Sequence, residues 1–477
     1  EIGSGLVGSE MCIRDREMLE GFSNKGMITV ALLFLVSEGI RQSGTLGQVI
    51  KKLLPQGKTT VFKAQLRILP SVAFISAFLN NTPVVVIFAP IIKHWAKSVK
   101  LPATKFLIPL SYVTILGGIC TLIGTSTNLV VHGMILEAGY EGFTMFELGK
   151  VGIFIAIAGI IYLFIFSKRL LPDARPDTAV PDEEVEEGEK LHRVEAVLGA
   201  RFPGINKKLS DFNFQRHYGA EVKEIKTRNG QRYVDHLEDV VLREGDTLVV
   251  MADDTFIPTW GESSVFVLLT NGNDPDTSGK KKRWLALILL VLMIVGATVG
   301  ELPATKEMFP DIKLDMFFFV CITTIIMAWT NIFPARKYTK YISWDILITI
   351  ACAFAISKAM VNSGVADCVA GFIIGLSDDY GPHVLLAILF VITNLFTELI
   401  TNNAAAALAF PLALSISAQL GVSPTPFFVV ICMAASASFS TPIGYQTNLI
   451  VQGIGNYKFT DFVRIGLPLN ICLLYTS

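Results

Sequence analysis

The chain has 477 residues, of which 52% are hydrophobic and only 17% charged, and its mean hydropathy is +0.53. That balance excludes an ordinary soluble domain and predicts a membrane protein. The net charge of -1 gives no footing for a nucleic-acid partner, and the seven cysteines, lacking CxxC or CxxxH spacing and sitting mostly in apolar runs, read as packing residues.

Residues 1–16 and 472–477 resemble translated adapter read-through and are set aside as artefacts. A first membrane repeat is expected over 17–171, and it looks N-terminally truncated: the second half carries two spanning segments before Ser363-Gly364, where the first half has no room for them before Met27. Stretches able to cross roughly 30 Å of hydrocarbon fall at about 27–46, 106–133 and 148–168 in this repeat. Between the first two lies 67–95, with the polar knot Asn80-Asn81-Thr82-Pro83 at its centre. A straight helix would bury those amides in lipid, so the segment reads as a re-entrant hairpin whose tip faces a protein-lined cavity.

A linker over 172–190, rich in Pro, Asp and Glu, leads to a small α/β domain over 191–262. Strands are expected at 194–198, 221–226, 231–234 and 246–251, with a short helix at 209–217 and a hairpin turn at the Arg-Asn-Gly of 228–230. A second linker, 263–282, precedes a second membrane repeat over 283–471. Its apolar stretches lie at about 284–300, 315–333, 343–361, 425–454 and 460–474, and its hairpin at 383–417 centres on Thr401-Asn402-Asn403.

Basic residues cluster around the first hairpin (Lys51, Lys52, Lys58, Lys63, Lys93, Lys97, Lys100, Lys105), at Lys168 and Arg169, at Lys280 to Arg283, and at Arg336, Lys337 and Lys340. By the positive-inside rule those loops are cytoplasmic, and the inserted domain with them. The first hairpin then enters from the cytoplasm and the second from the opposite face, which is an inverted repeat. The sequence repeats accordingly: residues 121–133 and 441–453 read almost alike about 320 positions apart, and Ser43-Gly44, Asn81 and Pro90 are echoed by Ser363-Gly364, Asn402 and Pro411. A polar, glycine-containing break in each of two hydrophobic halves is the mark of a secondary transporter.

Half-helices that end inside a membrane leave N–H and C=O groups unpaired. Helix N-termini with amides and hydroxyls suit an anion, and carbonyls with Asn and Ser oxygens suit a small hard cation such as sodium. The competing reading of isolated polar residues here is interhelical hydrogen bonding; their pairing in both repeats favours a site. Glu38 and Lys358 occupy equivalent repeat positions, where mutual pairing or a hairpin contact competes with the favoured reading of a structural or interfacial role, and Arg41 lies near them. Glu398 precedes the second tip and could orient it or hold a proton, whereas His132 reads as an interface residue.

Residues 76–83 (Ser76 through Pro83), Ile123-Gly-Thr-Ser-Thr-Asn128, Thr397-Glu-Leu-Ile-Thr-Asn-Asn403 and Thr441-Pro-Ile-Gly-Tyr-Gln-Thr-Asn448 resemble the divalent anion/sodium symporter family of the ion-transporter superfamily. Residues 192–256 resemble one C-terminal lobe of potassium-transport regulators (TrkA-C, or RCK-C). The resemblance implies an α-helical polytopic membrane protein with two re-entrant hairpins and two broken helices, working as a homodimer by an elevator movement in a bacterial inner membrane. It implies sodium as coupling ion at Ser76, Asn80, Asn81 and Gly124 in one site and at Thr397, Asn402 and Gly444 in the other. It places a small divalent anion, dicarboxylate or sulfate, near Thr82, Thr125, Ser126, Asn403, Thr441 and Tyr445. The family's Ser-Asn-Thr tip reads here Asn80-Asn81-Thr82 and Thr401-Asn402-Asn403, and its Thr-Pro-Pro-Asn segment reads Thr125-Ser-Thr-Asn128 and Tyr445-Gln-Thr-Asn448. No organic cofactor is expected, the inserted domain would take an unknown small ligand, and no nucleophile–base constellation points to an enzyme. An efflux or exchange carrier for arsenite or for sodium against protons, and a ligand-gated channel or sensor, remain the competing readings.

Overall fold

A computed structural model describes residues 21–55, 57–173, 192–199, 201–227, 231–253, 256, 260, 265–270, 280–308, 314–334, 338–375 and 381–476. The segments expected as terminal artefact at 1–16, most of the first linker and the turn at 228–230 lie outside them. The first half comprises α1 (Lys25–Gln42), α2 (Thr45–Leu53), α3 (Val61–Ser76), α4 (Asn81–Ser98), α5 (Leu107–Gly118), α6 (Ser126–Glu137) and α7 (Gly149–Leu170). The 22 residues of α7 rise about 33 Å, enough to cross a bilayer. Its Ile153, Phe154, Ile157, Ile161 and Ile165 are exposed at helical spacing, while Gly152, Ile155, Gly159 and Tyr162 pack inward. Such a stripe is stable only against hydrocarbon, and the chain is a multi-pass membrane protein.

The small domain is built from β1 (His192–Leu198), α8 (Phe214–Tyr218), β2 (Glu221–Lys226), β3 (Arg232–Tyr233), β4 (Thr247–Ala252) and β5 (Phe266–Thr270), with sheet order β3-β2-β4-β1-β5 and every pairing antiparallel. Its own core holds Phe202, Phe212, Phe214, Tyr218, Phe256 and Phe266. Two expectations change. The helix begins only at Phe214, because the Asn213 side chain accepts from Arg216 N at 3.0 Å and caps it there, while the Leu209 N–H goes across to Val240 O. The sheet continues past residue 262 into the stretch expected as linker, where β5 pairs with β1.

The second half comprises α9 (Lys280–Gly300), α10 (Pro303–Met308), α11 (Met316–Trp329), α12 (Tyr338–Tyr341), α13 (Trp344–Asn362), α14 (Val365–Gly375), α15 (Pro382–Leu399), α16 (Asn402–Leu420), α17 (Thr425–Ser436), α18 (Gln446–Gly455) and α19 (Phe459–Thr476). The halves match at their bends. Gly44 and Gly364 take φ of 69° and 75°, a left-handed conformation that costs a Cβ-bearing residue, and each turns one helix into the next. The bend between α13 and α14 is 72°. In both halves a helical hairpin, α3/α4 or α15/α16, packs against a broken helix, α5/α6 or α17/α18. The tips lie against the breaks, midway along the broken helices, as re-entrant hairpins must.

The charged residues resolve locally. Arg41 grips Glu38 from one turn along α1, Nε to Oε2 at 2.7 Å and Nη2 to Oε1 at 2.6 Å, and Gln42 Nε2 donates to the same carboxylate at 2.6 Å. Glu38 is therefore partnered within its own helix, by a residue three positions away that requires no tertiary alignment.

Candidate functional site

Each hairpin tip meets the break of its own half through the same three groups. Ser76 Oγ lies 2.8 Å from both Asn81 Oδ1 and Thr114 O. In the second half Thr397 Oγ1 lies 2.7 Å from Asn402 Oδ1 and 2.6 Å from Ala435 O. A hydroxyl has one proton, so each cluster offers it two acceptors at hydrogen-bond distance. The inward atom of the Asn81 amide faces oxygens alone, with Gly124 O at 3.3 Å and Thr114 O at 3.0 Å besides Ser76 Oγ. Two chemistries satisfy it: an amide nitrogen placed there to donate, with the oxygen accepting from Tyr445, or an amide oxygen completing a cage of oxygens around a small cation. Ser76, Asn81 and Thr397 are fully buried and Asn402 nearly so.

Glycine lets the break approach this closely. A Cβ on Gly118 would stand 2.6 Å from Asn81 Oδ1, one on Gly124 would run into Gly118 O, and one on Gly444 would stand 2.6 Å from Thr397 O. Each break is sewn by an asparagine one turn into the following half-helix. Asn128 Nδ2 donates to Thr121 O at 2.9 Å and Gly118 O at 3.4 Å, and Asn448 Nδ2 to Ser438 O at 2.8 Å and Thr441 O at 3.2 Å. These two asparagines stand in the repeated motif, yet sequence reasoning did not assign them to the site. Their identical position in both repeats was the available signal.

Between the halves four helix N-termini converge, those of α4, α6, α16 and α18. The Tyr445 hydroxyl lies 2.5 Å from the Asn81 amide and 3.1 Å from Thr125 Oγ1. Thr82 Oγ1 donates to Gln446 Oε1 at 3.4 Å, and Ser126 and Thr127 hydroxyls each approach Asn403 Oδ1 at 3.3 Å. The first hairpin thus touches the second break and the second hairpin the first. Among the described residues, the N-cap residues Asn80, Thr125 and Tyr445 of α4, α6 and α18 make no side-chain cap, whereas Thr401 caps α16 at 3.4 Å. Uncapped N–H groups and the positive ends of the helix dipoles favour negative charge at this point. Asn80 and Ser126 line an adjoining cavity of about 10 Å³, room for roughly one water. Thr441 stands apart from this centre: its hydroxyl donates to Glu398 O at 3.3 Å and accepts from Gly444 N at the same distance.

The citrate transporter family profile (CitMHS) matches residues 4–416 and 311–476. An uncharacterized transporter of Synechocystis sp. is 29% identical, covering 96% of this chain and 88% of its own length. Sodium/sulfate cotransporter 2 of Chlamydomonas reinhardtii is 30% identical over 60% of this chain and 32% of its own length. Solute carrier family 13 member 4 of Homo sapiens is 24% identical over 31% of this chain and 23% of its own length. With hairpins, breaks and half-helix termini arranged as described, the chain belongs to the citrate transporter family and is homologous to the sodium/sulfate cotransporters.

Proposed function

We propose that the protein is a sodium-coupled symporter of a small divalent anion, sulfate or a dicarboxylate, with sulfate the substrate to test first. The observation that carries this reading is the convergence of half-helix N-termini, three without side-chain caps, between two buried Ser/Thr–Asn–carbonyl clusters. Sodium at Ser76, Asn80, Asn81 and Gly124 and at Thr397, Asn402 and Gly444 would hold both tip asparagines with their oxygens inward. The anion would meet N–H groups and hydroxyls at Thr82, Thr125, Ser126, Asn403 and Tyr445, whereas Thr441, expected among them, stays with Glu398 and Gly444. Cation and anion then stabilise one another in a dry interior, and because each is held by tips that the other orders, binding of one raises the affinity for the other. The sulfate assignment rests on similarity to relatives such as sodium/sulfate cotransporter 2.

In this reading the halves form an inverted repeat in a bacterial inner membrane, the inserted α/β domain is a cytoplasmic TrkA-C-like lobe for a small ligand, and a homodimeric scaffold holds still while hairpins and breaks travel as an elevator. Opposed entry of the two hairpins and the basic loops on one side support the orientation. No covalent step is involved. The test is uptake of labelled sulfate into proteoliposomes, with succinate and citrate as competitors. Uptake driven by an inward sodium gradient is expected. Equal flux without the gradient removes the coupling, and transport of arsenite or sodium–proton exchange without anion uptake replaces symport by export or exchange.

A further inference from the structure

We infer that Glu398 is a positioning residue that clamps the second break and makes the second cation cluster the tighter of the two; the inference rests on the sodium-coupled reading above. Its carboxylate bridges three elements. Oε1 accepts from Ser440 N at 2.8 Å and Oε2 from Thr441 N at 2.9 Å, both in the break, and Oε1 also accepts from Asn470 Nδ2 of α19 at 3.0 Å. Asn470 Nδ2 lies 2.9 Å from Ser440 Oγ as well, closing the group. All three contacts are N–H donors, so the carboxyl serves here as an acceptor alone.

Among the described residues the first half has no such device. Ala77 stands where Glu398 does, and only the backbone part of the contact is repeated: Thr121 Oγ1 donates to Ala77 O as Thr441 Oγ1 does to Glu398 O. The reason is a difference in length. The first break covers residues 119–125 and the second 437–445, so the second half-helix unwinds earlier. In the first break the Cys120 N–H still returns to Gly117 O at 3.0 Å and Leu122 N–H reaches Met145 O at 3.0 Å. In the second, the N–H groups of Ser440 and Thr441 have left the helix, and the carboxylate receives them.

Two consequences follow from adjacency. Glu398 shares a peptide bond with Thr397, whose hydroxyl belongs to the second cation cluster and whose carbonyl accepts from Ser438 Oγ at 3.4 Å. Fixing Ser440 and Thr441 therefore fixes the distance between Thr397 O and the Gly444 turn packed upon it. The carboxylate also stands beside one cluster with no counterpart beside the other among the described residues, and in a membrane interior such a group acts over several ångströms. The sites are formally alike in their ligands and unlike in their field.

The experiment is a sodium titration of sulfate uptake and of thermal stability on the purified full chain, for the unmodified protein, Glu398→Gln and Glu398→Asp. Gln keeps the length but cannot accept from both break N–H groups and carries no charge. Half-saturating sodium is expected to rise about tenfold in Glu398→Gln, with part of the loss recovered in Glu398→Asp, while the sulfate KM at saturating sodium stays within about twofold. A general loosening of the fold would move both constants together. Half-saturating sodium within about twofold of the unmodified protein overturns the inference alone; an unmodified protein without sodium dependence overturns it together with the symport reading. Should Glu398→Gln fail to yield monodisperse protein, Asn470→Ala removes one donor from the same carboxylate and is expected to raise half-saturating sodium about threefold, with no change counting against the clamp.

Discussion

The two halves use the same asparagine to sew their breaks, but they satisfy it differently, and the difference is one atom. Ser111 Oγ lies 2.7 Å from Asn448 Oδ1 and 2.9 Å from Thr447 Oγ1. The equivalent position in the second half is Cys432, and Asn128 Oδ1 is buried without a hydrogen-bond partner among the described residues. A thiol is too weak a donor to replace a hydroxyl. Cys432→Ser is accordingly expected to stabilise the protein by about 1 kcal/mol through a hydrogen bond to Asn128, and Ser111→Ala to destabilise it by a similar or larger amount. Thermal unfolding in detergent decides it, and a Cys432→Ser protein no more stable than the original would mean that the two breaks do not share their packing. At this scale the sequence was a good guide wherever the repeat spoke twice: Ser76 with Thr397 and Asn81 with Asn402 stand in matching contacts. At Glu38 repeat equivalence with Lys358 carried no information, because Arg41, three residues along the same helix, needed no fold at all to reach it. The role of Tyr445 in filling the centre was not legible either, since the packing of a ring against the opposite hairpin depends on how the halves meet.

Breaks and hairpins are where the sequence was most informative, because buried amides and glycines inside apolar runs admit few structures. The polar knots at 80–83 and 401–403 became the two tips, and the Gly-containing motifs became the two breaks. The unequal length of the breaks was hidden, as it depends on a carboxylate receiving N–H groups some 40 residues away in sequence. The short helix of the inserted domain was overdrawn for a local reason: Asn213 was available as an N-cap and starts the helix five residues later than expected. Glycine at the break provides the element-scale test. A Cβ at Gly444 would stand 2.6 Å from the backbone carbonyl of Thr397, which cannot swing aside as a side chain could. Gly444→Ala must therefore push the break away from the hairpin, and sulfate uptake is expected to fall by at least about tenfold, with expression and monodispersity retained. Uptake within about twofold of the unmodified protein would show that the break and tip need not be in contact during transport.

For the whole molecule, the informative contacts are those between the inserted domain and the helical body. Glu195 on β1 lies 3.1 Å from Lys93 Nζ on α4 and 3.3 Å from Lys226 Nζ on β2, and Lys226 and Arg193 in turn approach Glu224 at 3.9 and 3.6 Å. Burial alone would raise the Glu195 carboxyl, but the charges and hydrogen bonds of Lys93 and Lys226 outweigh it and hold the group at about 2 against an ordinary 4.5. The sign follows: a depressed carboxyl contributes stability that is complete above about pH 4.5 and is lost as the pH falls toward 2. Glu195→Gln is expected to loosen the domain from α4 at neutral pH, seen as faster amide exchange in β1, and to make no further difference near pH 2; equal exchange at neutral pH would mean that the ion pair does not hold the domain. Further contacts fall on α18, where a Cβ at Gly453 would lie 2.6 Å from Thr247 Oγ1 and Leu449 packs against Gly245. Both α4 and α18 belong to the hairpin-and-break set that an elevator would carry. A domain held by Lys93 on one and by Leu449 and Gly453 on the other must ride with that set or let go of it. Joining the domain to α18 by a disulfide between Thr247→Cys and Gly453→Cys separates these cases, because the two side chains are already within reach. If the domain rides along, sodium-driven sulfate uptake stays within about twofold of the reduced protein, since nothing that moves relative to anything else has been tied. Uptake lost on oxidation and restored by reductant would instead require the domain to release α18 in every cycle, which would turn the same contact from a passenger's grip into a brake.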